Sequence, residues 1–411
     1  MRIDPQQVES EIDTLAAISE QPAPVVTRVL FSDADLQARA FIKGLCRDAG
    51  LAWREDAAGN LFARWAGAEP GLPPVATGSH IDAIPNAGRY DGVVGVLGGI
   101  EAIRALRRDG FSPRRSIELI VFTAEEPTRF GLGCLGSRLL SGILPPAKAA
   151  ALRDRDGRTL EEWRGRAGFA ASNLGTVPLP AGCYSAFVEL HIEQGPVLER
   201  ENFPIGIVES IAGPSSLKLE ITGVGGHAGA ILMPERHDAL LAGAEIALAV
   251  ERAALASGSP DSVATTGVFR IEPGAVNSVP CRALLEMDVR DTRQDTRDQM
   301  LATIREATAA TCRRRGVEWT LELVNADPPA TCHAVVISAL REVCAALKLP
   351  AKPMISRAYH DSLFMAQLCP TAMIFIPCRG GVSHRPDEYS SPAQIAAGVT
   401  VLAHALARLA E

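Results

Sequence analysis

No stretch of the 411-residue chain approaches the roughly 20 consecutive apolar residues that a bilayer-spanning helix requires, so no transmembrane segment is predicted. A basic tract is missing as well. With a net charge of -7 and its Lys and Arg dispersed, the chain is a poor match for nucleic acid or an anionic membrane surface. Nine cysteines are present, but none has the paired spacing of a metal-binding or disulfide framework, so they read as free thiols and small core residues in a reducing cytosol. The amino terminus lacks the apolar core of a signal peptide. It is charged from Met1 to Asp13, and Val8, Ile12 and Leu15 recur at the spacing of an amphipathic helix. There are no internal repeats and no low-complexity tract. What remains is a cytoplasmic enzyme acting on a small molecule, with 47% hydrophobic residues and a length that suggests two or three domains.

The first half of the chain alternates strands and helices. Helices are expected near residues 5 to 19, from Asp33 to Ala49 and from Val93 to Arg108, and strands at Asn60 to Trp65, Pro74 to Thr77 and Ser116 to Phe122. This order predicts an α/β fold with a mostly parallel, helix-covered sheet. Residues 145 to 183 are more polar and read as an excursion within that domain. From about Pro214 the order becomes strand, helix, strand, strand, helix, strand, with helices from Glu235 to Ala253 and Asp295 to Arg314. This βαββαβ unit suggests a small sheet with two helices on one face, inserted into the first domain. Helix Ala334 to Leu347, strand Met373 to Ile376 and helix Pro392 to Leu409 then rejoin the main sheet. The expected division is residues 1–212 and 329–411 for the first domain and 213–328 for the insertion, with hinges near Gly213 and Asp327-Pro-Pro.

Chemistry concentrates at the expected strand ends. A buried strand leads through Gly78-Ser-His80-Ile-Asp82 into a glycine-bearing loop that ends in Asp91-Gly92, and Phe122-Thr-Ala-Glu125-Glu126 follows another strand. In Ala186-Phe-Val-Glu189-Leu-His191-Ile-Glu193 the alternation puts Val188, Leu190 and Ile192 on one face and Glu189, His191 and Glu193 on the other. Charges on so apolar a strand must be paired or bound to metal. His80, Asp91, Glu126, His191 and His384 form a set able to bind two metal ions. Mixed imidazole and carboxylate suit Zn²⁺ or Mn²⁺, and two such ions about 3.5–4 Å apart need a bridging carboxylate.

These segments, with Gly225-Gly-His227-Ala-Gly229 and Gly381-Val-Ser-His384, resemble the dinuclear metal amidohydrolases of the aminoacylase/carboxypeptidase superfamily. Within it they are similar to the carbamoyl-amidohydrolase branch, over essentially the whole chain. The resemblance implies that Asp91 bridges the ions, that His80 and His191 bind one and that Glu126 and His384 bind the other. It makes Glu125 the general base and Asp82 the carboxylate orienting His80, and it casts the inserted domain as a lid through which a homodimer forms. A carboxylate beside two cations can take a proton from the attacking water and return it to the leaving nitrogen.

For the substrate, the resemblance implies that Arg290 grips a carboxylate, that His227, Asn277 and Gln194 are polar companions, and that His360 polarises the carbonyl. An ion pair of Arg290 with Asp288 or Asp291 is the plainer alternative. Many relatives carry small residues in the segment before His360, whereas this chain reads Ser356-Arg357-Ala-Tyr359-His360-Asp361. Bulky side chains there are expected to narrow or re-polarise the pocket, with Tyr359 a substrate contact and Arg357 either a further contact or a structural clamp. That segment is similar to the ureidoglycolate amidohydrolases of purine breakdown. Hydrolysis of a ureido C–N bond in a small carboxylate is therefore expected, with allantoate or an N-carbamoyl-L-amino acid as the alternative substrate. A non-catalytic carboxylate-binding protein is a third reading, against which the presence of Glu125 beside the five ligand positions argues.

Overall fold

The computed structural model describes all 411 residues. The chain divides into two compact units, one of Met1–Glu209 with Thr331–Glu411 and the other of Ser210–Ala330.

The first unit is built on a nine-stranded sheet. Its strands run in the order Ala330–Thr331, Ile205–Ile211, Thr371–Ile376, Ala186–Ile192, Val75–His80, Ile117–Phe122, Leu61–Trp65 and Ala52–Glu55, and Ala351–Ser356 also pairs with Ile205–Ile211. The four central strands are parallel. Antiparallel strands flank them on both sides. All residues of those four strands are buried, which is why they read as near-continuous apolar runs rather than as alternating ones. Helices Val93–Arg108 and Pro392–Leu409 pack on each other and on the sheet. The second begins with Pro392 in its first turn and a capping box between Ser391 and Gln394. Close approach of the first depends on Gly95, where a Cβ would lie 2.4 Å from the Leu190 carbonyl oxygen. A separate apolar cluster joins Phe62, Ile120, Phe122 and Phe187 of the sheet to Leu139, Leu160 and Leu174. The polar excursion thus packs against the main sheet through a few large apolar residues.

Parallel strands bring their carboxyl ends to one edge. His80, the Thr123–Glu126 turn, His191 and the loop after Ile376 gather there, the usual position for a site in an open α/β sheet.

The second unit is a four-stranded antiparallel sheet, in the order Val263–Glu272, Arg282–Asp291, Gly213–Thr222, Glu318–Ala326, with helices Ala239–Leu255 and Gln294–Arg315. Leu217, Leu219, Ile221, Leu285 and Met287 form its core with Ile246, Val250, Met300 and Ile304 of the helices. The helix expected from Glu235 starts at Ala239 instead. Met233–Glu235 makes a 3₁₀ turn around Pro234, and the Asp238 side chain caps the helix by accepting from the Leu241 N–H.

Candidate metal centre and active site

Four side chains, His80, His191, His384 and Glu126, gather around Asp91. One of its oxygens, Oδ1, lies 3.1 Å from His191 Nε2 and 3.7 Å from His80 Nε2. The other, Oδ2, lies 3.2 Å from His384 Nε2, which is itself 3.3 Å from Glu126 Oε1. Two donor triads result, His80–Asp91–His191 and Asp91–Glu126–His384, and within each the ligand atoms lie within 4.8 Å of one another. A carboxylate shared in this way, with each oxygen facing a different set, is the arrangement a bridging ligand requires.

The protonation pattern is what fits these residues to metal. His80 Nδ1 donates to the Asp82 carbonyl oxygen at 3.1 Å and His191 Nδ1 to the Ile192 carbonyl oxygen at 2.9 Å, so both rings turn Nε2 toward Asp91. At His191 that nitrogen accepts a hydrogen bond from the Gly92 N–H at 3.2 Å, so it carries a lone pair. The surrounding carboxylates nevertheless call for positive charge. Burial opposes charge on His80, yet Glu125, Asp82 and Asp91 raise its pKa well above the ordinary imidazole value. Hydrogen bonds to Asp91 and Glu126 push His384 up to about 11. Burial also works against the charge on Asp91, but the surrounding imidazoles of His191, His384 and His80 hold its carboxyl well below the usual range. A divalent cation satisfies both demands, meeting imidazole lone pairs and carboxylate charge together.

Glu125 sits beside this cluster rather than in either triad. Its Oε2 is 3.7 Å from His80 Nε2, and its Oε1 accepts from the Cys134 thiol at 3.6 Å. Burial pushes its carboxyl well above the ordinary range, against the pull of His80. Asp82 does more than face an imidazole. Its carboxylate is 3.5 Å from His80 Nδ1 and accepts from the Glu125 and Glu126 backbone N–H groups at 3.2 and 3.0 Å, tying the turn that carries both glutamates to the His80 loop.

A profile of peptidase family M20/M25/M40 matches residues 76–408. The chain belongs to this family. It is 52% identical to a ureidoglycolate hydrolase of Arabidopsis thaliana over 100% of this chain and 87% of that protein. The solved structure of AtUAH in complex with glyoxylate superposes with a TM-score of 0.93 at 51% identity, covering 100% of this chain and 98% of that one. An allantoate amidohydrolase of Bacillus subtilis is more distant, at 31% identity over 97% of this chain and 96% of that protein. The protein is therefore a metal-dependent M20 amidohydrolase.

The remaining expected site residues divide between the units. Gln194 and His360 lie in the M20 metal-site unit. The Gln194 amide donates to Asp91 Oδ2 at 2.7 Å, while its Oε1 is buried without a hydrogen-bond partner. His360 is buried, with its ring centroid 4.6 Å from that of His191 and Nε2 2.9 Å from Ser356 Oγ. Tyr359 is half-buried, and its hydroxyl accepts from Arg138. Arg357 is exposed. His227, Asn277 and Arg290 belong to the second unit. The Ala228 N–H bonds to the Asn277 carbonyl at 2.8 Å, which holds the His227 and Asn277 segments together. Arg290 forms a two-pronged pair with Asp288, at 2.6 and 3.1 Å.

The sequence marked Glu189 and Glu193 as charges needing a partner but not what they hold, and it missed the roles of Arg138 and Glu388 near the M20 site. Glu189 accepts hydrogen bonds from Ser79 Oγ and from the backbone N–H and hydroxyl of Ser362. Glu193 accepts from the Val197 and Leu198 N–H groups at the start of a short helix. Glu193 thus serves the local structure, while Glu189, besides tying these segments together, stands with His191 and His360 in a third group whose donor atoms lie within 4.8 Å of one another. Arg138 and Glu388 carried no periodic signal. Glu388 stands four residues after His384 in a segment already marked by its histidine, and that proximity was the available clue.

Proposed function

We propose that the protein is a ureidoglycolate amidohydrolase with two divalent ions, Zn²⁺ or Mn²⁺, held by His80, Asp91 and His191 and by Asp91, Glu126 and His384. The single observation that carries the assignment is full-length similarity at 52% identity to ureidoglycolate hydrolase, joined to a pair of donor triads sharing one carboxylate. Bound there, the ions would supply electrophilic stabilisation and a more acidic water.

The chain's own residues then divide the work. Glu125, beside both triads but in neither, takes the proton of the attacking water and passes it to the departing nitrogen. Attack at the ureido carbon expels ammonia and leaves a carbamate. Loss of CO₂ from that carbamate gives hydroxyglycine, which releases a second ammonia to form glyoxylate. The solved structures of AtUAH in complex with glyoxylate and with (S)-hydroxyglycine support this sequence of products. His360 and Gln194 face the substrate's carbonyl and amide groups, and the Gln194 Oε1 without a partner supports an N–H donor as its ligand. We assign the substrate carboxylate to Arg290, with Asn277 and His227 as companions, on the resemblance. That role requires Arg290 to exchange its Asp288 pair for the substrate.

We also propose that residues 210–330 form a homodimer with a second copy of the chain. Leu241, Leu248 and Leu255 recur every seven residues along one helix and are exposed, and the neighbouring strand Val263–Glu272 is a sheet edge with Phe269 and Ile271 exposed. The nine free thiols support a reducing, cytoplasmic location.

Ammonia release by metal-loaded protein, compared across ureidoglycolate, allantoate and N-carbamoyl-L-amino acids, tests the substrate. The expected result is a kcat/KM for ureidoglycolate at least about tenfold above the others. A preference for allantoate or a carbamoyl amino acid would overturn the assignment.

A further inference from the structure

Asp91 and His384 lie far apart in sequence, yet both must be held to a few tenths of an ångström for one carboxylate to serve two triads. Glu388 joins their loops. It is a buried carboxylate, and Oε1 accepts from the backbone N–H of Tyr90 at 2.8 Å and of Asp91 at 3.1 Å. Its Oε2 lies 2.8 Å from Ser383 Oγ, and the same hydroxyl lies 2.8 Å from Asp91 Oδ2. One side chain therefore grips the backbone of the bridging residue and, through a serine, reaches its carboxylate. Backbone space is set aside for it: a Cβ at Gly88 would lie 2.4 Å from the Glu388 Cβ. Ser383 immediately precedes His384, so the contact that steadies Asp91 also anchors the loop delivering the second histidine.

We infer that Glu388 is the positioning residue of the metal pair, acting through Ser383 and the Tyr90–Asp91 backbone to fix the bridging carboxylate between the two triads. It touches neither substrate nor the expected ions. The carboxylate cannot be spared by water alone, because the two N–H groups it accepts from are buried and point at one oxygen. Its loss is therefore predicted to loosen both triads at once, whereas loss of a terminal histidine affects one.

This inference rests on the metal reading above, and its test separates the two. Metal content and affinity of the full chain are measured by chelator competition with Zn²⁺ and with Mn²⁺, beside thermal unfolding of the metal-free protein, for the parent, Glu388→Ala, Glu388→Gln and Ser383→Ala. Glu388→Ala is expected to weaken metal binding by about 10- to 100-fold, the range for outer groups that orient ligands. Glu388→Gln keeps an oxygen for the two N–H groups and an amide that can donate to Ser383, so it is expected to recover most of that affinity. Ser383→Ala removes the hydroxyl between Glu388 Oε2 and Asp91 Oδ2 but keeps the grip of Glu388 on the Tyr90 and Asp91 N–H groups, and is expected to weaken metal binding while leaving metal-free unfolding within a few degrees of the parent. If Glu388→Ala fails to fold, the Gln and Ser383 variants still decide the matter. A parent that binds no metal overturns the metal reading itself. A parent that binds two ions, with Ser383→Ala and the Glu388 variants binding equally tightly, overturns the role of Glu388. So does a Glu388→Ala variant that loses only metal-free stability.

Discussion

Single residues at this site differ sharply in how readable they are. His80, Asp91, Glu125, Glu126, His191 and His384 stand out in the sequence because each interrupts an apolar strand or ends a glycine-rich loop, and all but the exposed His384 are buried, where a charge needs a reason. Arg138 interrupts no apolar strand; only the resemblance of its segment, Cys134-Leu-Gly-Ser-Arg138, to the ureidoglycolate amidohydrolases marks it, and its role there was not legible. Yet its guanidinium donates to the Tyr359 hydroxyl and the Gly133 carbonyl and lies 4.5 Å from the Phe364 ring centroid, which holds the tyrosine in place. The bulk attributed to the Arg357–Tyr359 segment thus resides in a clamped Tyr359, while Arg357 is exposed. Arg138→Met should free the ring and admit larger substrates. The expected outcome is a rise of about tenfold in the ratio of kcat/KM for allantoate over ureidoglycolate, read from parallel ammonia assays. An unchanged ratio would remove Arg138 from specificity.

At the scale of elements, the four parallel strands and the helices Val93–Arg108 and Pro392–Leu409 were legible because complete burial writes an unbroken apolar pattern. Ala52–Glu55 and Ala351–Ser356 were not. The first is a mostly exposed edge strand, and the second carries Lys352 and Pro353, so neither shows the period that a buried face imposes. The start of the Ala239–Leu255 helix was misplaced because apolar spacing continues through Leu232 and Met233, and only the Asp238 cap marks the boundary. Where an element meets the site, one glycine carries unusual weight. Gly92 has φ 66° and caps the Val93–Arg108 helix, and a Cβ there would lie 2.4 Å from His80 Nε2. Gly92→Ala is expected to cost about 1–3 kcal/mol in denaturant unfolding through backbone strain, and to weaken metal retention by displacing His80. Parent-like unfolding and metal retention together would show that the loop tolerates the side chain.

The whole molecule carries one feature that the metal site does not explain. In the Ser210–Ala330 unit, Leu248 is 55% and Leu255 80% exposed on a helix whose opposite face is already packed. The proposed homodimer would cover this stripe. Leu248→Glu should shift sedimentation at micromolar concentration from dimer toward monomer, and a parent that sediments as a monomer would remove the dimer from the account. No helix is long and apolar enough to cross a membrane. Family membership was visible in the order of motifs along the whole chain. The hydrogen-bonded groups that hold those motifs in place were not, because Glu388 and Glu189 act through contacts between segments more than a hundred residues apart.

If Glu125 moves the proton while five other side chains hold the metal, as proposed, one variant separates the two tasks. Metal content and ammonia release from ureidoglycolate are measured together for Glu125→Gln. The account predicts two divalent ions per chain, as in the parent, with turnover reduced by about 10²- to 10⁴-fold. Turnover close to the parent's at full metal content would contradict it.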